Sequence, residues 1–223
     1  MLATDRKRLA AGALAVFCVL AAVTAAAATP PAEWDGLELR PSKRVNLLYV
    51  RPDASLAGYK HVRLAPLQVR FDKNWKPNAS RTLSNRLDKD DFERIKKALA
   101  EEFARVCAEE LARGGYDLVT DAGEDVLDVD PAVIDLYIAA PDKMTPGRTR
   151  TYTADPGRMT LVAELRDSDT GQVLARVMDR ASASWGGRFQ VASSVTNMAA
   201  AQQIIARWAS ALREELDAAN GKS

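Results

Sequence analysis

The chain has 223 residues, and its 31 Lys and Arg balance 30 Asp and Glu. With 47% hydrophobic and 27% charged residues it can bury a core, which excludes a disordered chain. A net charge of +1 gives no support for nucleic-acid binding, and two Cys with one His exclude a disulfide scaffold and a His-rich metal site. We therefore expect no nucleic-acid partner, no metal and no cofactor.

Residues 1–28 have the pattern of a secretory signal peptide. A positive start at residues 6–8 precedes an apolar run of 15 residues, 9–23, and residues 26–28 supply an Ala-x-Ala cleavage site. A membrane-spanning helix needs roughly 20 apolar residues. The pattern therefore favours cleavage, with retention as a membrane anchor as the alternative.

Cys18 lies inside the apolar run and raises the question of a lipid anchor. Lipidation signals place a small residue before the Cys, whereas Phe17 stands there in this chain. We expect no lipid anchor, so membrane contact is expected only through an uncleaved N-terminal segment or through lipid headgroups. Residues 29–223 are then expected to form a single α+β domain in the periplasm or elsewhere in the cell envelope.

The first part of this domain is predicted to be β-rich. Residues 29–44 form a Pro-rich leading segment, and 45–50 is a short apolar strand. Residues 61–71 alternate between apolar and polar side chains, but the phase slips at Pro66. A proline inside a strand predicts a bulge or an edge position.

Residues 90–114 form the clearest predicted helix. Asp90 and Glu93 have the spacing of an N-terminal capping pair, and Gly114-Gly115 is a typical C-terminal stop. Seven apolar side chains recur at steps of three and four, which predicts one buried stripe: Phe92, Ile95, Leu99, Phe103, Val106, Cys107 and Leu111.

Four further strands are predicted after this helix, at 116–120, 132–140, 158–166 and 172–183. The last two read as a hairpin, because Asp and Gly between them favour a turn. Alternation in the second of these strands predicts one face formed by Ile134, Leu136 and Ile138.

A second amphipathic helix ends the chain, with its apolar stripe between Ala201 and Leu216. The predicted fold class is α+β, a two-layer sandwich in which a mostly antiparallel sheet carries two amphipathic helices on one face.

The sequence contains few features that point to catalysis. It contains no Gly-x-Ser-x-Gly, Ser-x-x-Lys, phosphate-binding Gly loop or paired-Cys motif. A catalytic thiol at Cys107 would need His61, the only His, so we interpret Cys107 as a buried core residue. The acidic run 121–130 lacks the spacing of a calcium loop and is predicted to be a solvated connection between strands.

One enzymatic alternative remains, a periplasmic carboxylate-dependent hydrolase. Its carboxylates would be Asp135 and Glu164, which would have to converge in one pocket. The competing interpretation is that Glu164 forms a cross-strand ion pair with Arg176 or Arg180.

The connection 141–157 is the best candidate for a binding site. It spans 17 residues between two predicted strands, and loops longer than about 12–15 residues are uncommon unless they are functional or disordered. Its basic and aromatic side chains suit an anionic group, such as a carboxylate or a lipid headgroup. The candidate binding residues are Arg148, Arg150 and Tyr152.

An ordered set of short motifs resembles a family of bacterial envelope proteins, the domain of unknown function numbered 3313. The resemblance covers residues 33–217, and it implies export but no activity and no catalytic residues. The motifs include Trp34-Asp35-Gly36-Leu37, Ser42-Lys43, Tyr59-Lys60, Val69-x-Phe71, Asn74-Trp75, Gly115-Tyr116, Asp125-Val126-Leu127, Ala140-Pro141-Asp142, Gly147-Arg148-x-Arg150-Thr151-Tyr152 and Trp208-Ala209.

The sequence therefore favours an exported cell-envelope protein that acts as a non-catalytic accessory or binding module. Its expected partner is an envelope protein or an anionic surface.

Overall fold

The computed structural model describes residues 29–78, 86–139, 141, 151–153, 156–184 and 190–222, so the predicted signal peptide lies outside it. Within these ranges the elements in chain order are β1 (Glu33–Trp34), β2 (Leu37–Arg40), β3 (Leu47–Val50), β4 (His61–Leu64), β5 (Gln68–Phe71), α1 (Lys89–Arg113), β6 (Asp117–Leu118), β7 (Val126–Ile138), β8 (Thr151–Thr153), β9 (Gly157–Asp167), β10 (Val173–Ala183), β11 (Gln190–Ala192) and α2 (Ser194–Ala219).

Nine of the described strands form one mixed sheet in the order β1-β2-β3-β10-β9-β7-β4-β6, with β5 also paired to β7. Every pairing from β1 to β7 along this order is antiparallel. The pairs β7–β4, β7–β5 and β4–β6 are parallel. Strands β8 and β11 form a separate antiparallel pair. Side chains of both helices join one face of the sheet in a common core, which confirms the predicted α+β class.

The slip at Pro66 divides the predicted alternating segment into two strands. His61–Leu64 pairs with Val126–Val129, and Gln68–Phe71 pairs with the region of β7 that begins at Ala132. Both short strands therefore lie one after the other along a single long partner. The prediction of an interruption at Pro66 is confirmed.

Strand β7 differs from its prediction in two ways. It begins at Val126, so Asp128 and Asp130 belong to the strand and only the first half of the acidic run connects β6 to β7. Asp135 has a φ of 55°, and the pairing with β9 shifts between Ile134 and Tyr137. This bulge reverses the alternation, so that Val133 and Leu136 are both buried and the predicted face of Ile134, Leu136 and Ile138 is wrong.

The N-terminal cap of helix α1 lies two residues before the predicted cap at Asp90. The cap is Asp88, whose side chain accepts from the backbone N–H of Asp91 while the Asp91 side chain accepts from that of Asp88. Asp90 and Glu93 are not the capping pair. At the other end Gly115 takes a φ of 73°, the left-handed conformation that favours glycine after a helix.

The two helices run parallel, because their contacts advance in the same direction along both. Gln202 donates to Glu102 at 2.7 Å, and Arg213 donates to Glu110 at 2.9 Å. Beyond the end of α1, the Tyr116 hydroxyl donates to Asp217 at 3.0 Å. These polar contacts keep α1 and α2 in register above the sheet.

A buried carboxylate on β10 fastens α2 to the sheet. Asp179 is 3% exposed, and one of its oxygens accepts from Trp208 Nε1 at 2.7 Å and from Arg207. Its other oxygen accepts from the backbone N–H of Asn46 at 3.0 Å, and the Asn46 side chain in turn accepts from the backbone N–H of Arg180. A buried charge is tolerated only when it is paired and hydrogen-bonded, and Asp179 meets this condition with donors from two elements.

Another carboxylate organises the turn of the β9–β10 hairpin. Asp167 accepts from the backbone and the hydroxyl of Thr170 and from the hydroxyl of Tyr59 at 2.6 Å. These hydrogen bonds to Thr170 and Tyr59 lower the pKa of Asp167 from 3.8 to about 2. Ionised Asp167 therefore ties the hairpin turn to the segment before β4.

Replacing Asp179 is expected to reduce stability strongly. Asp179→Ala leaves the buried Trp208 N–H without an acceptor and removes the partner of the Asn46 backbone N–H, so the free energy of unfolding should fall by about 3 kcal/mol or more. Urea denaturation measures the free energy of unfolding of each variant. Arg207→Ala is the comparison: the Arg207 side chain is 52% exposed, and Asp179 keeps its N–H donors from Trp208 and Asn46, so the loss should be smaller than in Asp179→Ala. Equal losses in the two variants would contradict this account.

Asp167 is expected to make the fold sensitive to acid. Its pKa in the folded chain lies below the ordinary value, so its contribution to stability is complete above about pH 4 and is lost as pH falls from about 4 to 2. Asp167→Asn should flatten the fall in the free energy of unfolding across this range, as measured by urea denaturation. Asp169→Asn, the same change at an exposed position in the same turn, should leave the wild-type pH profile intact.

Candidate functional site

A cavity of about 490 Å³ lies between the sheet and the two helices, and we call it the inter-layer cavity. Most of its floor is formed by two rows of side chains that run across neighbouring strands on the helix-facing side, and Leu161 extends the floor beyond the second row. The first row is Val50, Ala175, Leu165, Val129 and Leu64, and the second is Leu48, Val177, Ala163 and Pro131.

The space exists because both layers carry small side chains where they face each other. The floor includes Ala163 and Ala175, and the C-terminal half of α2 contributes four alanines to the roof: Ala209, Ala211, Ala218 and Ala219. Helix α1 closes the roof with Phe103, Cys107 and Leu111. Side chains of this size cannot fill the distance between a sheet and helices held apart by the larger residues around them.

The mouth of the inter-layer cavity is polar. Arg44, Ser55 and Glu215 line it and are exposed, and Ser42 beside them is half-buried. The Arg44 guanidinium donates to Glu214 at 2.8 Å and to Glu215 at 2.7 Å, which joins the segment before β3 to α2. All three side chains are more than two-fifths exposed, and each such surface ion pair contributes roughly 0.2–1 kcal/mol. Breaking these two ion pairs across the mouth therefore costs little free energy.

An empty closed cavity of this size would be very costly. At roughly 24 cal/mol per Å³, a dry void of the observed volume would cost about 12 kcal/mol. Whole domains are stable by only about 5–15 kcal/mol. The volume also falls within the range of roughly 300–1,000 Å³ typical of small-molecule sites. The inter-layer cavity is therefore suited to exchange with the surroundings and to hold a ligand.

Cys107 lies in the wall of this cavity as a free, buried thiol. Burial raises its pKa from 9.0 to about 12, so the thiol stays protonated at neutral pH. A nucleophilic cysteine has the opposite shift. The interpretation of Cys107 as a core residue is confirmed.

The predicted binding residues fall largely outside the described part of the chain. Arg148 and Arg150 lie outside it, and of Tyr152 only the backbone is described, in β8, paired with Val191. A second cavity of about 150 Å³ adjoins Pro141 and Pro156, at the two ends of the predicted loop. The assignment of these three residues to a binding site stays a prediction.

The two carboxylates of the hydrolase alternative do not converge. Glu164 lies opposite Asp130 on β7, five residues before Asp135, a separation of roughly 17 Å along a strand. Glu164 is held by Arg176, which donates to it at 2.6 Å, and by Arg166. This cross-strand ion pair is the one expected from the sequence, and the proposed pairing of Asp135 with Glu164 is wrong.

The described ranges contain no group of three His, Cys, Asp or Glu side chains placed to bind a metal ion. Among the same residues, no helix has the length and apolar character needed to cross a membrane.

Sequence reasoning missed the inter-layer cavity because its floor depends on alignment across five strands. The available signal was the run of alanines on the final helix together with alanine at two inward positions of the hairpin. Alanines in these positions also occur where a helix packs directly on a sheet. Only the strand register and the distance of α2 from the sheet distinguish a packed interface from one with a cavity.

A sheet with helices on one face and a ligand-sized apolar space between the layers defines the class, an α+β two-layer sandwich. The family model "Protein of unknown function (DUF3313)" matches residues 31–212. The chain belongs to this family, as its motifs predicted. No curated protein matches the chain.

Solved structures matched by the chain have low sequence identity and low TM-scores to it. The PelC dodecamer from Paraburkholderia phytofirmans is 14% identical, covering 73% of this chain and 96% of that chain, with a TM-score of 0.38. The hypothetical protein CT253 from Chlamydia trachomatis is 10% identical, covering 72% and 99%, with a TM-score of 0.38. Protein XCC0632 from Xanthomonas campestris, of family DUF330, is 13% identical, covering 78% and 90%, with a TM-score of 0.38.

Proposed function

We propose that this chain is an exported, non-catalytic binding module of the bacterial cell envelope, and that it holds an apolar ligand in the inter-layer cavity. The observation that carries the proposal is the cavity itself, whose volume of about 490 Å³ lies in the range typical of small-molecule sites.

The chemistry of the cavity wall supports binding over catalysis. The polar lining groups lie at the mouth, whereas the interior is formed by aliphatic side chains with Phe103 and Trp208. The Trp208 N–H is already committed to Asp179. A site with this wall can exclude water and hold hydrocarbon, but it presents no general acid or base to a ligand inside it.

Export is proposed from the amino-acid pattern of residues 1–28. Their positive start, apolar run and Ala-x-Ala site have the order of a cleavable secretory signal. An apolar ligand site is useful in the cell envelope, where hydrocarbon must be kept out of water between membranes.

The connection 141–157 is proposed as a second contact surface, for an anionic group on an envelope partner or a lipid headgroup. The support is its length and its basic and aromatic content, with Arg148, Arg150 and Tyr152 as the contact residues.

We expect the inter-layer cavity to bind an uncharged fluorescent probe with a stoichiometry of one probe per chain. N-phenyl-1-naphthylamine should brighten on binding, and Ala163→Leu should weaken its binding at least tenfold, because the leucine fills the middle of the floor. Titration by fluorescence measures both effects.

The matched control is Ala132→Leu. Ala132 lies on the neighbouring strand opposite Val162, so its side chain is on the other face of the same sheet. Thermal unfolding should show that both variants are folded. Equal loss of probe binding in the two variants, or no binding in the wild-type protein, would contradict the proposal.

Export is expected to produce a mature chain that begins at Thr29, as read by N-terminal sequencing of the periplasmic fraction. Ala28→Phe, which alters the residue before the cut, should leave the precursor uncleaved. Ala27→Phe, at the variable middle position of the site, should still be processed. A cytoplasmic protein that begins at Met1 would refute export while leaving the cavity proposal intact.

A further inference from the structure

We infer that the inter-layer cavity holds one linear acyl chain, which lies across the strands with its polar end at the mouth. The inference deepens the proposed binding function and depends on it, but it does not depend on export.

The length of the cavity floor is set by the sheet. The row Val50, Ala175, Leu165, Val129 and Leu64 crosses five adjacent strands, and four spacings of about 4.8 Å give a length of about 19 Å. One leaflet of a bilayer is about 15 Å of hydrocarbon, half of a core that is about 30 Å thick. A membrane acyl chain therefore fits the length of this floor.

The width of the floor favours a single chain. Its second row, which includes Val177 and Ala163, lies two residues further along each strand, at a distance of about 7 Å. Beyond that row only Leu161 still lines the cavity, and on the neighbouring strand Asp179 and its bond to Trp208 form a fixed boundary. A floor that is five strands long and two to three side chains wide matches an extended hydrocarbon better than a broad ring system.

The distribution of polar groups fixes the orientation of the chain. Burying an unpaired polar group in the aliphatic interior would be unfavourable, so the polar end must stay at the mouth. Ser42, Arg44 and Glu215 are found there, and Arg44 offers a guanidinium that can turn from Glu214 to a ligand oxygen. The far end of the chain then lies over β7 and β4, beneath α1.

The test is the dependence of affinity on chain length, measured on the purified protein with saturated fatty acids from octanoate to palmitate. Each added pair of methylenes should tighten binding roughly fifteenfold while it is buried, and the gain should stop once the floor is full. In Ala163→Leu, which blocks the third of the five strands, the gain should stop at a shorter chain. Ala132→Leu should follow the wild-type series.

Lysophosphatidylethanolamines with the same chains form a second arm. If they bind as well as the free acids, the natural source is a phospholipid; if only the acids bind, it is a free fatty acid, and either result supports an acyl ligand.

Affinity that does not change with chain length, or the same cut-off in Ala163→Leu as in the wild type, would overturn the inference. If N-phenyl-1-naphthylamine still binds in that case, the proposed binding function survives and only the ligand class is wrong. If the probe does not bind either, both fail.

Discussion

The buried carboxylate of Asp179 sets the distance between α2 and the sheet. It receives donors from the middle of α2 and from the segment before β3, and a charge in this position cannot be left without them. The helix is therefore held at Trp208 whatever its other side chains do. Because the residues that follow Trp208 toward the cavity are largely alanines, the fixed height leaves space beneath them. Together with the larger side chains around the alanines, this attachment keeps the inter-layer cavity open.

Two contacts hold α2 close to the segment before β3, one through Asp179 of β10 and one through Arg44, and they differ greatly in strength. Asp179 is fully buried, whereas the pairing of Arg44 with Glu214 and Glu215 lies in solvent. Buried, charge-assisted hydrogen bonds resist opening, but exposed ion pairs exchange readily with water and salt. The site is therefore rigid along its inner wall and easily opened at its mouth, an arrangement that allows a ligand to enter without unfolding the layer that holds it.

Local patterns in the sequence predicted the helices, the β9–β10 hairpin and the break at Pro66, because each depends on neighbours in the chain. The faces of β7 were not predictable, since Asp135 adopts a left-handed conformation that shifts the alternation by one residue. The cavity floor depends on register between strands as distant as β3 and β10, which no local pattern encodes. The Glu164 ion pair was anticipated because its partner lies across one tight hairpin.

The sheet order also dictates when the chain can fold. Strands β4 and β5 pair with β7, and β3 pairs with β10, so the first strands lack their central partners until residues 126–183 are present. Pairings between distant segments form slowly, because a long loop must close before any contact is made. Most of this chain must therefore be synthesised before its sheet can close. The first strands depend on the last ones, so the fold is completed from its C-terminal half.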